Sequence, residues 1–314
     1  MTSPTSPINF IATILFDTSH NEMLDINEPN FSEFLDLLHT LGLKIKKNEN
    51  MDLTIEVLQN TDILIIGNPI ENYFSSIEIK NITDFVRKGG RLVLISEYGS
   101  DYLQKTNIND ISERHFGISF QKNIVRENNN FNQNCSSILS IQDFREHKIA
   151  NQLREVIIGG SCSLILNNKS EALLISEGSW TESLNSNEQW FKNGEEQKHI
   201  ITAFTEYGRG KVIAMGDIDI FTNDPNMGLN ILDNRKLIRN ILNWLIEPVE
   251  ENDAMIWALD QMGAFLQEIK DMNNKIDNII ETMTILEQRI TVIEEKKDDE
   301  KNEKTLVEEE LTKL

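Results

Sequence analysis

Three short segments of this chain, Ile11 to Phe16, Asp62 to Ile66 and Leu92 to Ser96, are apolar nearly throughout instead of alternating apolar with polar residues. Successive side chains of a strand point to opposite faces, so such a run is stable only where both faces are covered. That is the pattern of a parallel sheet held between helices. The intervening segments supply the helices. Phe31, Phe34, Leu35, Leu37, Leu38 and Leu41 recur at helical spacing and Gly42 ends that run, after which Leu43 to Ile45 reads as a short strand and Leu53 to Leu58 as a short helix. Ser75 with Glu78 three residues on predicts a capping box. Ile79, Ile82, Phe85 and Val86 give the following helix one apolar face, and Gly89-Gly90 stops it.

From about Ile118 the pattern shifts to short strands, Ile138 to Ile141, Val156 to Ile158, Cys162 to Leu166, Ala172 to Ser176, Ile200 to Phe204 and Val212 to Met215. This reads as a β-rich second half of the same unit. Asn185 to Lys198 holds few apolar residues and reads as a surface loop. Asp233 is placed to cap a last helix, whose buried face is Leu237, Ile238, Ile241, Leu242 and Leu245, and Pro248 follows it.

Composition narrows the function. The 314 residues suit about two domains at roughly 150 residues each, and 39% apolar content fills a sizeable core. Asp and Glu number 51 against 30 Lys and Arg, a formal net charge of −21, which argues against binding nucleic acid or an anionic membrane. Cys135 and Cys162, with no CxxC pair, make neither a disulfide framework nor a zinc site, so a reducing cytoplasm is the expected location. Met1 to Pro7 is polar, and the apolar stretch after it lacks the basic flank and cleavage site of a signal peptide. No apolar run reaches the ~18 residues of a membrane span.

Three stretches in order carry a family resemblance: ILFDTSHNE (Ile14 to Glu22), Leu64 to Gly99 with its LIIGNPIENYF and GGRLVLISEYG segments, and GKVIAMGDIDIFTND through DNRKLIRNILNWLI (Gly210 to Ile246). Together they resemble a GIFT domain, the domain shared by intraflagellar-transport scaffold proteins and bacterial gliding and ABC-transport-associated proteins. The resemblance implies a flavodoxin-like α/β core related to class I glutamine amidotransferases, without their catalytic machinery, and scaffold-type work. Amidotransferases place a cysteine on the turn after a central strand, and the matching place here reads Ile95-Ser96-Glu97-Tyr98-Gly99, with no cysteine.

Ligand sites of open α/β sheets gather at the carboxyl ends of the strands. Asp17, Ser19, His20, Glu22 and Asp25 follow the first strand, where His20 among carboxylates suits a base or a metal ligand, and the plainer alternative is a hydrated loop capped by its own Asp and Ser. Asn68, Glu71 and Glu97 belong to the same edge. The candidate ligand or partner edge is therefore Ser19, His20, Asn68, Glu97 and Tyr98, with no residue assigned to catalysis, a cofactor or a metal. Asp217-x-Asp219 with Asn223-Asp224 suggests a hard cation, but alternate residues at a strand end point apart, which favours a structural turn. Cys162 reads as a buried residue rather than a nucleophile.

The carboxyl-terminal segment carries the sharpest periodicity. From Met255 to Ile293, apolar residues recur at spacings that alternate between 3 and 4, Ile269, Met272, Ile276, Ile279, Met283, Leu286, Ile290 and Ile293 among them. That repeat specifies a left-handed coiled coil with a seam of roughly 57 Å. The alternative is an amphipathic helix folded back on its own domain. After Ile293 the same register places Lys297, Glu300 and Lys304 at core positions, which predicts fraying.

The expected organisation is a disordered tag over 1–7, a GIFT-like α/β domain over 8–248, a coiled coil over 252–295 and an acidic helical or frayed tail over 296–314. The expected function is that of a non-enzymatic interaction or scaffold protein that needs no cofactor, with a protein partner reached through a homo-oligomeric or heteromeric coiled coil. The alternatives are a small-molecule or saccharide-binding module with an enclosed pocket near Asn68 and Glu97, and a degenerate amidotransferase-like hydrolase with a base near Ser96 or Cys162.

Overall fold

The structure, a computed structural model, describes residues 10–49, 51–128, 137–185 and 189–247, and scattered positions between 262 and 283. The chain divides into two units, Met1–Ala254 and Met255–Leu314. The first unit contains strands β1 (Ala12–Asp17), β2 (Leu43–Asn48), β3 (Ile63–Gly67), β4 (Arg91–Ile95), β5 (Ile118–Phe120), β6 (Ile124–Glu127), β7 (Ile138–Ile141), β8 (Asp143–Phe144), β9 (Val156–Gly159), β10 (Leu164–Leu166), β11 (Glu171–Leu184), β12 (Trp190–Tyr207) and β13 (Gly210–Met215). Its helices are α1 (Ser32–Thr40), α2 (Ile55–Leu58), α3 (Ser76–Arg87), α4 (Ser100–Gln104), α5 (Ile108–Phe116) and α6 (Asn234–Ile246).

The parallel heart of the sheet runs β2-β1-β3-β4-β13. Beyond β13 the sheet turns antiparallel through β12, β10 and β5, while β7 and β9 form a separate pair. The strand order reverses between β1 and β3, the point at which doubly wound sheets open a crevice at their carboxyl ends.

The uninterrupted apolar runs have the cause expected of them. Ile14, Phe16, Ile63, Ile65, Val93 and Ile95 face one core, with Phe34 and Leu38 of α1 and Leu237 and Ile241 of α6. Leu15, Leu64, Ile66, Leu92 and Leu94 face the other, with Ile82 and Val86 of α3 and Ile108 and Ile111 of α5. Each such side chain withdrawn from water contributes about 1.5–3 kcal/mol, so the two cores hold the strands from both sides. The capping box forms: Glu78 N donates to Ser75 Oγ at 3.3 Å and Ser75 N to Glu78 Oε2 at 2.9 Å.

Three expectations change. Asn185 to Lys198 is not a surface loop over its described length. Trp190–Tyr207 is one strand paired with β11, with Leu184 opposite Trp190 and Thr181 opposite Asn193. Its outer part is exposed, so the backbone ladder, and not an apolar alternation, defines it there. Asp233 stands at the N-cap of α6 but its Oδ2 accepts from Arg154 N at 2.7 Å, outside the helix. Helices α4 and α5 fill the stretch between β4 and β5, to which the sequence reading gave no element.

In the second unit the described positions from 262 to 283 are helical. Ile269, Met272, Ile276, Ile279 and Met283 are among them. Leu286, Ile290 and Ile293 lie outside the described residues, as do Cys135 and the segments 1–7 and 296–314.

Candidate functional site

Asp17 ends β1, and the segment that follows is clamped across the neighbouring strand. Met23 N donates to Asn68 O and Leu24 N to Gly67 O, both at 3.1 Å, and Asn72 Nδ2 reaches Ser19 O at 3.2 Å. Gly67 is required for this approach, because a Cβ there would stand 2.4 Å from Leu24 Cβ. The loop is therefore pinned to the crevice between β1 and β3.

Within it, His20 is 4% exposed and stacks on Phe74 with ring centroids 3.9 Å apart. Its Nδ1 lies 2.6 Å from Asp17 Oδ2 and its Nε2 lies 3.3 Å from Glu78 Oε1, a residue delivered by the capping box of α3. Asp17 Oδ1 accepts from Ser19 Oγ at 2.8 Å and Asn48 Nδ2 at 3.0 Å. Glu22 Oε2 accepts from His20 N at 3.1 Å, while its Oε1, buried, has no hydrogen-bond partner. Burial opposes a charged imidazole, yet the hydrogen bond and charge of Asp17, with Glu78, outweigh it and raise the His20 pKa. Burial likewise opposes a charged Asp17, and the side-chain bonds from His20 and Glu22, then the His20 charge and Ser19, lower its pKa all the same. Burial, and then the Asp17 charge, push Glu22 up to about 9.

A second cluster lies at the ends of β4 and β13, where Glu97, Asp217 and Asp219 bring carboxylate oxygens within 4.8 Å of one another. The expected divergence of Asp217 and Asp219 fails because the chain turns into a 3-10 helix at Asp219–Phe221, closed by Asp219 N and Ile220 N donating to the Asp217 carboxylate at 2.8 and 3.2 Å. Asp217 is thus the structural turn residue. Glu97 Oε1 accepts from Ile218 N at 2.9 Å. Burial, followed by the neighbouring acids, pushes Glu97 and Asp217 well above the carboxylate range, and burial with Asp224 pushes Asp219 up to about 6. Such a trio shares protons instead of carrying three charges.

Backbone strain gathers at the same edge. Asn21, Asn68, Glu71 and Ser100 have φ of 55°, 57°, 52° and 41°, a region that costs non-glycine residues about 1–3 kcal/mol each. A cavity of about 360 Å³ lies elsewhere, at the amino ends of β3 and β4 beside Asp62, Gly90 and Arg91.

The profile of the IFT52 GIFT domain matches residues 13–254. The chain belongs to the IFT52 GIFT-domain family. Among solved structures, the "mmIFT52 N-terminal domain" has 19% identity and a TM-score of 0.61, over 74% of this chain and 97% of that one. A cytoplasmic protein from Salmonella typhimurium LT2 has 16% identity and a TM-score of 0.51, over 74% and 99%. A ThuA-like protein from Bacteroides uniformis has 15% identity and a TM-score of 0.49, over 78% and 95%. These likenesses concern the fold. No curated protein matches the chain.

Within this GIFT domain, the residues singled out from sequence divide into two groups. Ser19 and His20 join Asp17 and Glu22 at β1, and Asn68 adjoins them through the Met23 backbone bond. Glu97 instead joins Asp217, and Tyr98 is 40% exposed. The hydrated-loop reading fails for Asp17 and His20, which are buried, and holds for the local turns, where Asp17 Oδ1 accepts from Ser19 N and Asp25 Oδ1 from Asn27 N. Asn48 and Glu78 were missed as members of the site. The capping box located Glu78 at a helix start, but only the β1/β3 crossing brings it to His20. At the turn after β4 the Ser96 hydroxyl is buried without a hydrogen-bond partner, and Ser100, also passed over in sequence, shares that state at φ 41°. The Cys162 thiol is wholly buried, and its pKa rises because of it.

Proposed function

We propose that this chain is a non-enzymatic interaction protein, in which the GIFT domain offers the carboxyl edge of its parallel sheet to a protein partner and the following helix multimerises with copies of itself. The observation that carries the reading is the apolar content of that helix. Met262, Phe265, Met272, Ile276, Ile279 and Met283 are each more than half exposed. Apolar area left in water forfeits about 25 cal/mol per Å², so a stripe of this length favours association. The family supports scaffold-type work of the intraflagellar-transport kind, and the burial of Cys162 and Ser96 favours binding over nucleophilic chemistry. No described helix is long and apolar enough to cross a membrane.

Sedimentation of the full chain beside an I276E/M283E double variant tests the assignment. The variant is expected to sediment as a smaller species than the wild type with an unchanged circular dichroism melt for the α/β unit. An unchanged oligomer in the double variant overturns the role given to the helix.

A further inference from the structure

We propose that Asp17, His20 and Glu22 form a binding site for a divalent transition cation of the zinc type, placed at the crevice between β1 and β3. One ligand atom from each of the three lies within 4.8 Å of the others. The chemical set is one imidazole nitrogen and two carboxylate oxygens. An imidazole ligand selects zinc-type cations over calcium or magnesium, which prefer all-oxygen sites.

Two further observations point into this space. Glu22 is held through Oε2 by the His20 amide, so its other oxygen, Oε1, is fixed in position. That oxygen is buried, receives no hydrogen bond from a donor group, and stands 3.9 Å from His20 Nδ1, on a side chain with no exposed surface. His20 Nε2 faces Glu78 Oε1 at 3.3 Å. A carboxylate facing the far nitrogen is the arrangement that orients metal-bound histidines, because it accepts a hydrogen bond from Nε2–H, which keeps the proton there and leaves Nδ1 as the ligand. Ser19 and Asn48 hold the second Asp17 oxygen in the same way.

The 2.6 Å separation of His20 Nδ1 and Asp17 Oδ2 is that of a hydrogen bond. Ligands at about 2.0–2.2 Å from a tetrahedral zinc stand roughly 3.4 Å apart, so binding requires this pair to open by less than about 1 Å. The cation then takes the place of the Asp17–His20 hydrogen bond, and the fourth position is left to water. The Glu97, Asp217 and Asp219 cluster is a poorer host, since both Asp217 oxygens are already engaged by backbone amides. A bound ion would staple the Asp17–Asp25 loop to β1.

The probes are Zn²⁺ and Co²⁺ added to the chelator-treated full chain. The expected result is saturable binding of one ion per chain by calorimetry, a visible Co²⁺ band, and a rise in melting temperature with Zn²⁺. E22Q, which keeps the side-chain shape, is expected to weaken binding by about tenfold or more, while E97Q leaves it unchanged. Nitrogen NMR of the wild type gives a readout independent of any variant's folding, with Zn²⁺ expected to shift His20 Nδ1 among the five histidines. Absence of saturable binding, or binding that leaves the His20 Nδ1 signal in place, overturns the proposal.

Discussion

The rings of Tyr98 and Trp190 stand 6.1 Å apart at 59°. Tyr98 follows β4 and Trp190 begins β12, so the β11–β12 hairpin returns over the edge of the sheet that carries Glu97. The pair is partly exposed, at 40% and 37%. Aromatic pairs of this kind add about 0.5–1.5 kcal/mol beyond their area. Trp190→Ala should therefore cost about 1 kcal/mol, whereas Trp244→Ala, with its ring 1% exposed, should cost about 3–5 kcal/mol. Urea unfolding of the two variants checks the contrast.

Gly67 controls how the loop after β1 sits. A Cβ placed 2.4 Å from Leu24 Cβ forces the loop away, and overpacking of this sort costs about 1–3 kcal/mol. Gly67→Ala should lower stability by that amount and speed hydrogen exchange at the Met23 and Leu24 amides, whose acceptors are Asn68 O and Gly67 O. Exchange at amides of β4 should change less.

Asp219 sets a pH dependence. Its pKa is raised from 3.8 to about 6, so its contribution to folding is fully present below pH 3.8 and is lost as the pH rises through about 6. An amide cannot ionise. Asp219→Asn should match the wild type near pH 4 and exceed it at pH 7, by up to about 3 kcal/mol at about 1.4 kcal/mol per pKa unit. Denaturation midpoints measured across this range check the sign. A variant less stable than the wild type at pH 7 contradicts the assignment.

The parallel half of the fold was legible because burial on both faces leaves a direct trace, an unbroken apolar run, and because Ser75 and Glu78 mark a helix start by local chemistry. The outer hairpin was not legible. Trp190 to Lys198 is held by backbone pairing with β11, and backbone pairing leaves no side-chain pattern when both faces are wet. The site was half legible. Asp17, Ser19, His20 and Glu22 lie within six residues of sequence and could be read as a group, but Glu78 and Asn48 reach them only through the strand order. The meeting of Glu97 with Asp217 is likewise set by β4 pairing with β13, which no local spacing encodes.

Residues 250–314 hold 18 acidic and 8 basic side chains, a net charge of −10 out of −21 for the chain. Like-charged helices repel, and salt screens that repulsion as the Debye length falls from about 10 Å at 0.1 M to about 3 Å at 1 M. Self-association through this segment should therefore strengthen with added salt. Light scattering on the full 36.1 kDa chain, taken across concentration and salt, measures whether the helix multimerises. Self-association through the helix gives a mass of at least twice 36.1 kDa, reached at lower protein concentration as salt is added. A mass of 36.1 kDa under all these conditions contradicts it.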